Sequence, residues 1–356
     1  GFKRIAFLLK NMGDFTLDGG GSEFVFHSVM NPIVVDGCRN ITLKNFSLYT
    51  PNAFSNTGTV TAVGNSWFEV TITAQQHHFV QHGQLFFGQE NGLHYPVGIL
   101  IEAQPNKTML QPDRQDYYMR PTDEVKQIGE NTVRFQGLER PLPLLGNKML
   151  LMCRARDAAC VLLQNSKNIS ILNYTAFTGV GMGVLAQNCR NVLINGMRTE
   201  CKEDRWLSLN ADATHFVHCS GKITVQNSSF SAQLDDALNV HGIYTRVLQK
   251  NKNQIVVQYM HPQAKGLNVY SVGEEISVVD PLTLLPKTTH KITEVEVLNI
   301  DCTLLSLEGG TADITVGDDV ENITRSPEVL FENNRVTYNR ARGILLGSRG
   351  KTVIRN

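Results

Sequence analysis

One short pattern constrains this 356-residue chain more than any other: β-branched or aliphatic, any, aliphatic, any, Asn. It occurs as ITLKN (Ile41–Asn45), ISILN (Ile169–Asn173), ITVQN (Ile223–Asn227), VLFEN (Val329–Asn333) and TVIRN (Thr352–Asn356), and as VLING (Val192–Gly196) with Gly in the last place. Each reads as a short strand of period two ending in a residue suited to a tight turn. Asn173 to Gly196 is 23 residues, Gly196 to Asn227 is 31, and Asn333 to Asn356 is again 23. A repeating unit of about 20 to 30 residues, with several short strands and little helical periodicity, predicts a parallel β-helix. Leucine-rich repeats need more regular leucines.

Two intervals exceed one coil. Asn45 to Asn173 is 128 residues and Asn227 to Asn333 is 106, so each coil carries roughly 80 to 100 inserted residues. The first insertion, residues 51–153, holds the alternating segments TVTAV (Thr59–Val63) and WFEVTI (Trp67–Ile72). The second, residues 243–327, holds YTRVLQ and QIVVQY around a KNKN turn, then EEISVV before Pro281. These read as hairpins, so two small antiparallel β-barrel domains are expected to project from a β-helix built of residues 1–50, 154–242 and 328–356. The chain ends on a repeat strand without a polar cap, so further coils are expected beyond Asn356.

The 33 basic and 33 acidic residues cancel, which disfavours a nucleic-acid or anionic-membrane partner and leaves a neutral one. No apolar run of about 18 residues predicts a membrane span. Seven cysteines without paired spacing give neither a zinc site nor a complete disulfide framework, and most read as small buried residues.

The chemistry concentrates in Asn210–Gly242, NADATHFVHCSGKITVQNSSFSAQLDDALNVHG. Asp235 lies eight residues after the marker Asn227, and Ala341 eight after Asn333, with Asp236 and Arg342 next to them. Asp212 is 23 residues before Asp235, provided that the extra stretch EDRWLSLN (Glu203–Asn210) accounts for the longer coil. On this count Asp212, Asp235 and Ala341 or Arg342 stack on successive coils, about 4.8 Å apart. Carboxylates at such spacing repel, which favours retention of a proton by one of them. That suits glycoside hydrolysis, where an acid protonates the departing oxygen and a second carboxylate activates water or attacks carbon.

Alternation along DALNVH points Leu238 and Val240 inward and Asn239 and His241 outward, with His218 stacked beneath His241. One exposed strip then displays Asp212, Asp235, Asn239, His218 and His241. Asp236 faces inward unless a corner turns it out, near Arg342. Arg342 either neutralises Asp236 or binds substrate, Trp206 is a sugar platform or a core residue, and His215 is read as a local hydrogen-bonding residue.

NADATHF, QLDDALNVHG and FTLDGGGSEFVF (Phe15–Phe26) together resemble the α-1,3-galactosidases of glycoside hydrolase family 110, bacterial enzymes that remove terminal galactose from blood group B and related glycans. The resemblance implies an all-β, right-handed parallel β-helix with two β-barrel insertions. It also implies an exo-acting, inverting, metal- and cofactor-independent hydrolase of α-galactoside-terminated glycans. By position, Asp235 is its general acid, Asp212 and Asp236 its candidate bases, and His241, Asn239, His218, Arg342 and Trp206 its candidate substrate contacts. An exported bacterial protein, periplasmic or extracellular, is implied as well, and a homodimer is compatible with it. The competing expectations are a polygalacturonase-like hydrolase, a Ca²⁺-dependent polysaccharide lyase and a non-catalytic glycan-binding β-helix.

Overall fold

The computed structural model describes residues 4–51, 55–73, 77–88, 92–106, 111, 114–139, 141–153, 158–202 and 205–356. Glu203 and Asp204, at the head of the stretch expected to lengthen one coil, lie outside them. Among the described residues the chain is all-β, with one three-residue 3-10 turn at Pro262–Ala264 and no helix long and apolar enough to cross a membrane.

A parallel β-helix forms the body. Its first sheet stacks Ile5–Lys10, Asn31–Asp36, Val161–Gln164, Val184–Gln187, Thr214–Val217, Leu238–His241 and Ile344–Gly347, every neighbouring pair parallel. The second sheet carries the marker strands, including Arg39–Tyr49, Lys167–Thr178, Arg190–Asn195, Ser220–Gln226, Glu328–Glu332 and Thr352–Arg355. Lys167–Thr178 runs round a corner, pairing first with Arg190–Asn195 and then with Arg198–Thr199, so each coil crosses three faces.

The marker pattern explains both core and corner. In ITLKN and its repeats the two aliphatic positions point inward: Ile41, Leu43, Ile169, Ile171, Ile223, Val225, Val329 and Phe331 all belong to one buried cluster. The closing Asn takes a left-handed conformation, with φ of 56° at Asn45, 50° at Asn173, 53° at Asn227 and 52° at Asn333. Asn tolerates this region better than other residues with a Cβ. Its amide also bridges coils: Asn173 Nδ2 donates to Asn45 Oδ1 at 3.1 Å, and Asn45 Nδ2 donates to Asp18 Oδ1 at 3.0 Å. Gly196 fills the same corner at φ 73°, where a Cβ would lie 2.9 Å from Asn173 Oδ1. A second ladder, Asn165 and Asn188 at φ 49° and 54°, marks another corner, and His218 continues it at φ 57°.

Both insertions are antiparallel. The first is a nine-stranded sheet, from Glu124–Gly129 at one end to His78–Gln81 at the other, rolled until Val125 N donates to Gly83 O at 2.8 Å. It encloses stacked Phe68 and Phe135. The second is a closed barrel of Tyr244–Lys250, Gln254–Tyr259, Cys302–Leu307, Pro286–Val297, Glu275–Val279 and Asp319–Asn322. Its core is continuous with Val217 and Ile243, which fixes the barrel against the first sheet. Five of the seven cysteines are buried, four of them within the β-helix core, and all seven are free.

The coils around Asp212 and Asp236 stack one residue out of step with the 23-residue repeat. Arg190 pairs with Ser220 but Val192 pairs with Ile223, so an extra residue sits in the later strand at Gly221, φ 68°. The extra length is thus divided between the Glu203–Asn210 stretch and this bulge, and the next coil steps by 24 residues instead of 23. Asp212 therefore stands beneath Asp236, not beneath Asp235. Asp235 stands over Ala211, while Asp236 stands under Arg342 and Val217, not His218, under His241. Gly221 is required by its conformation and by space, because a Cβ there would lie 2.2 Å from Asn191 Oδ1. Gly221→Ala is expected to lower unfolding free energy by about 1–3 kcal/mol, read as a shift in the urea midpoint, because it puts a side chain into a strained left-handed site.

Candidate active site

Three carboxylates meet at the edge of the first sheet where its strands begin. One oxygen each from Asp212, Asp235 and Asp236 can be chosen so that all lie within 4.8 Å of one another. The register puts Asp212 and Asp236 on adjacent rungs, and Asp236 N donates to Asp212 Oδ1 at 2.9 Å. Backbone bonds hold the rung on both sides: Gly183 N donates to Asp212 O and Ala213 N to Asp236 O, at 2.9 and 2.8 Å. The backbones of Asp212 and Asp236 are thus held by inter-coil hydrogen bonds at the bends just before the strands.

Asp236 is fully buried, as alternation requires, yet its carboxylate reaches the site at the corner before Ala237. Arg342, on the next coil, grips it with both arms of its fork, Nε to Oδ1 at 3.1 Å and Nη2 to Oδ2 at 3.0 Å. This pairing raises the guanidinium pKa above its ordinary value, with smaller contributions from Asp235 and Asp212. Arg342 is 60% exposed, so the ion pair seals Asp236 from one side and faces solvent on the other.

Asp212 is buried too, and its second oxygen has its own partner. His215 Nδ1 lies 2.6 Å from Asp212 Oδ2, and His215 Nε2 lies 2.9 Å from His241 Nε2. The two rings meet edge-on at 4.9 Å, and His241 Nδ1 donates to Gly242 O at 2.7 Å. Burial is the largest influence on His241 and lowers its pKa below the ordinary histidine value, against the smaller opposing effect of the Gly242 carbonyl. His215, which the sequence suggests packs or hydrogen-bonds locally, belongs to the site through both ring nitrogens. Its signal was present as DATH, an Asp and a His three residues apart at the entrance to a strand.

The remaining expected residues divide. Asn239 lies in register between His215 and Leu345, buried on the outer face, with Oδ1 unpartnered among the described residues. His218 does not share an exposed strip: it is 1% exposed, and its Nε2 donates to Val269 O of the second barrel at 2.7 Å. Its left-handed corner aims the ring between helix and barrel, as Asn188 at the preceding corner reaches Asn268 O. Burial holds the His218 pKa down at about 3. Trp206 packs with Leu207 and Leu234 against Ile99, Ile101, Leu150 and Met152 of the first insertion. It serves the seam that joins insertion to β-helix.

Beyond His215 and His241 the outer face of the sheet opens into a groove of about 820 Å³. Leu162, Met182 and Leu185 lie on the β-helix side and Met260, Gln263 and Leu267 on the second-barrel side. The groove is apolar with scattered amide and imidazole groups, a lining suited to sugar rings, whose carbon faces and hydroxyls need both.

Residues 57–149 match the family described as GLAA-B beta-barrel domain I, and residues 254–320 match GLAA-B beta-barrel domain II. Alpha-1,3-galactosidase B of Bacteroides thetaiotaomicron is 28% identical over 99% of this chain and 59% of its own length. Alpha-1,3-galactosidase A of Shewanella woodyi is 30% identical over 100% of this chain and 60% of its own, and an alpha-1,3-galactosidase B of Phocaeicola vulgatus is 29% identical over 99% and 60%. The chain resembles these proteins over nearly its whole length and spans about three fifths of theirs.

Two outcomes test the electrostatics. Arg342→Gln leaves a buried anion without its cation and is expected to cost about 1–3 kcal/mol of stability, reduced from a fully buried pair because the guanidinium faces water. Because His218 titrates near 3 folded and about 6.5 unfolded, the unfolded chain binds the extra proton, and stability falls as pH falls through that window. The thermal midpoint of His218→Asn, which restores the residue of the preceding corners, should decline less steeply from pH 6.5 to pH 4 than that of the parent.

Proposed function

We propose that this chain forms the catalytic part of an exo-acting α-1,3-galactosidase that hydrolyses terminal α-linked galactose from glycans without a metal or cofactor. The observation that carries this reading is the carboxylate trio, whose members approach within 4.8 Å of one another, with Asp236 gripped by Arg342 and Asp212 facing the His215 ring. Like charges at that distance oppose one another, so a carboxyl of the trio that keeps its proton is ready to act as an acid. We assign that role, general acid to the glycosidic oxygen, to Asp235 by its place in QLDDALNVHG. Asp212 and Asp236 orient and deprotonate the water that attacks the anomeric carbon.

The reading includes inversion of configuration, which follows when water attacks directly. The oxygen separation is shorter than the roughly 6.5–9.5 Å common between carboxyl groups of inverting pairs, and by itself it favours retention through a covalent sugar intermediate. Against retention, all four oxygens of Asp212 and Asp236 already accept hydrogen bonds. Those bonds draw charge from both carboxylates, which weakens either as a nucleophile while leaving acceptor capacity for a water shared between them. A Ca²⁺-dependent lyase is disfavoured for the same reason, since Arg342 and His215 offset charge that a divalent cation would need. A glycan-binding role without catalysis does not require the buried Arg–Asp and His–Asp pairs. Export to the periplasm or beyond is part of the same proposal.

On an α-1,3-linked galactoside, Asp235→Asn is expected to lower kcat by about 10²–10⁴-fold while galactose still binds. Wild-type turnover by that variant removes Asp235 from the acid role.

A further inference from the structure

The hydrogen-bond chain from Gly242 to Asp212 admits few proton arrangements. The Gly242 carbonyl only accepts, so His241 Nδ1 must carry a hydrogen. Burial favours the neutral ring at His241, and a neutral ring with a hydrogen on Nδ1 has a bare lone pair on Nε2. His215 Nε2, 2.9 Å away, must then donate. The other His215 nitrogen faces Asp212 Oδ2 at 2.6 Å, a separation at which two lone pairs repel, so a proton lies between them as well. His241 therefore dictates that the His215–Asp212 contact always holds one proton.

We propose that His215 and His241 are positioning residues, a two-histidine strut that holds Asp212 as an oriented anion by keeping both nitrogens of His215 protonated. This rests on the glycosidase reading above for its consequence in turnover, though the protonation pattern itself does not. The anion is placed where Asp236 N also binds it, so both its oxygens are held beside the other two carboxyls. The same logic orients a catalytic histidine by a buried aspartate in hydrolytic triads, with the roles exchanged.

The strut also has a pH limit. When His241 gains a proton at Nε2, it no longer accepts from His215, and the two rings repel. The charged and titratable groups around the strut are Asp212, Asp235, Asp236 and Arg342 on the carboxylate side, His218 behind it and His261 from the second barrel. Burial is the largest influence at His241, with His215 and His261 opposing a charge there and Asp212 favouring one. The strut is therefore intact through neutral pH and fails on the acid side, below the ordinary histidine range.

The test uses the intact protein and needs no ligand for its first arm. Nitrogen-15 NMR of the imidazole rings at pH 7 should find both His215 nitrogens protonated, and Asp212→Asn should return His215 to a neutral ring. A His215 with one protonated nitrogen at pH 7 overturns the proposal. In the second arm, His241→Leu should lower kcat about 10- to 100-fold with KM within twofold and move the acid limb of the pH profile. His241→Gln, whose side-chain oxygen extends to the position of the ring Nε2 and can accept from His215 Nε2, should recover most of that loss. Equal losses in both variants, or none in either while Asp235→Asn is inactive, contradict the strut and leave the glycosidase reading in place. Full activity of Asp235→Asn contradicts the glycosidase reading instead, and the NMR arm then decides the strut alone.

Discussion

Backbone hydrogen bonding between successive coils decides which residue stands on which, and the chemistry of this protein depends on that registry. Strands about 4.8 Å apart bring side chains from distant parts of the sequence into contact at fixed spacing. Asp212, Asp236 and Arg342 form one such column, although the second barrel separates the last two by 106 residues. A shift of one residue at Gly221 changes which aspartate heads the column. Registry therefore shapes the candidate site as much as the core.

The column concentrates negative charge that the fold must balance. It does so asymmetrically, with Arg342 against Asp236 and the His215–His241 pair against Asp212, while the Asp235 carboxyl lies within 4.8 Å of both. In a partly buried setting such neighbours matter more than they would at a solvated surface. The second barrel takes part in this arrangement. It receives the chain directly after Gly242, whose carbonyl anchors His241, and its Val269 carbonyl holds the buried His218. Its wall also closes one side of the adjacent groove.

The architecture was legible because the marker pattern carries its physics locally: alternation gives the inward face, and Asn gives the left-handed corner. Both insertions were legible as interruptions of that rhythm, with the first rolled into a nine-stranded sheet and the second closed. The trio was legible as a cluster, but its registry was not, because a single bulge at Gly221 leaves no mark that spacing can distinguish from loop length. His218 was misplaced for the same reason, since the extra residue moves it from the outer strip to a corner. His215 was legible only as a residue that packs or hydrogen-bonds locally; that its two nitrogens meet Asp212 and His241 depends on local folding and on a cross-coil contact.

The stereochemistry of the product tests the account most directly, because direct attack by a water held between Asp212 and Asp236 permits one outcome. A proton NMR time course on an α-1,3-linked galactoside is expected to show β-galactose first, followed by slow mutarotation. First appearance of α-galactose would instead require a covalent sugar intermediate on one of these carboxylates and contradict the shared-water role assigned to the pair.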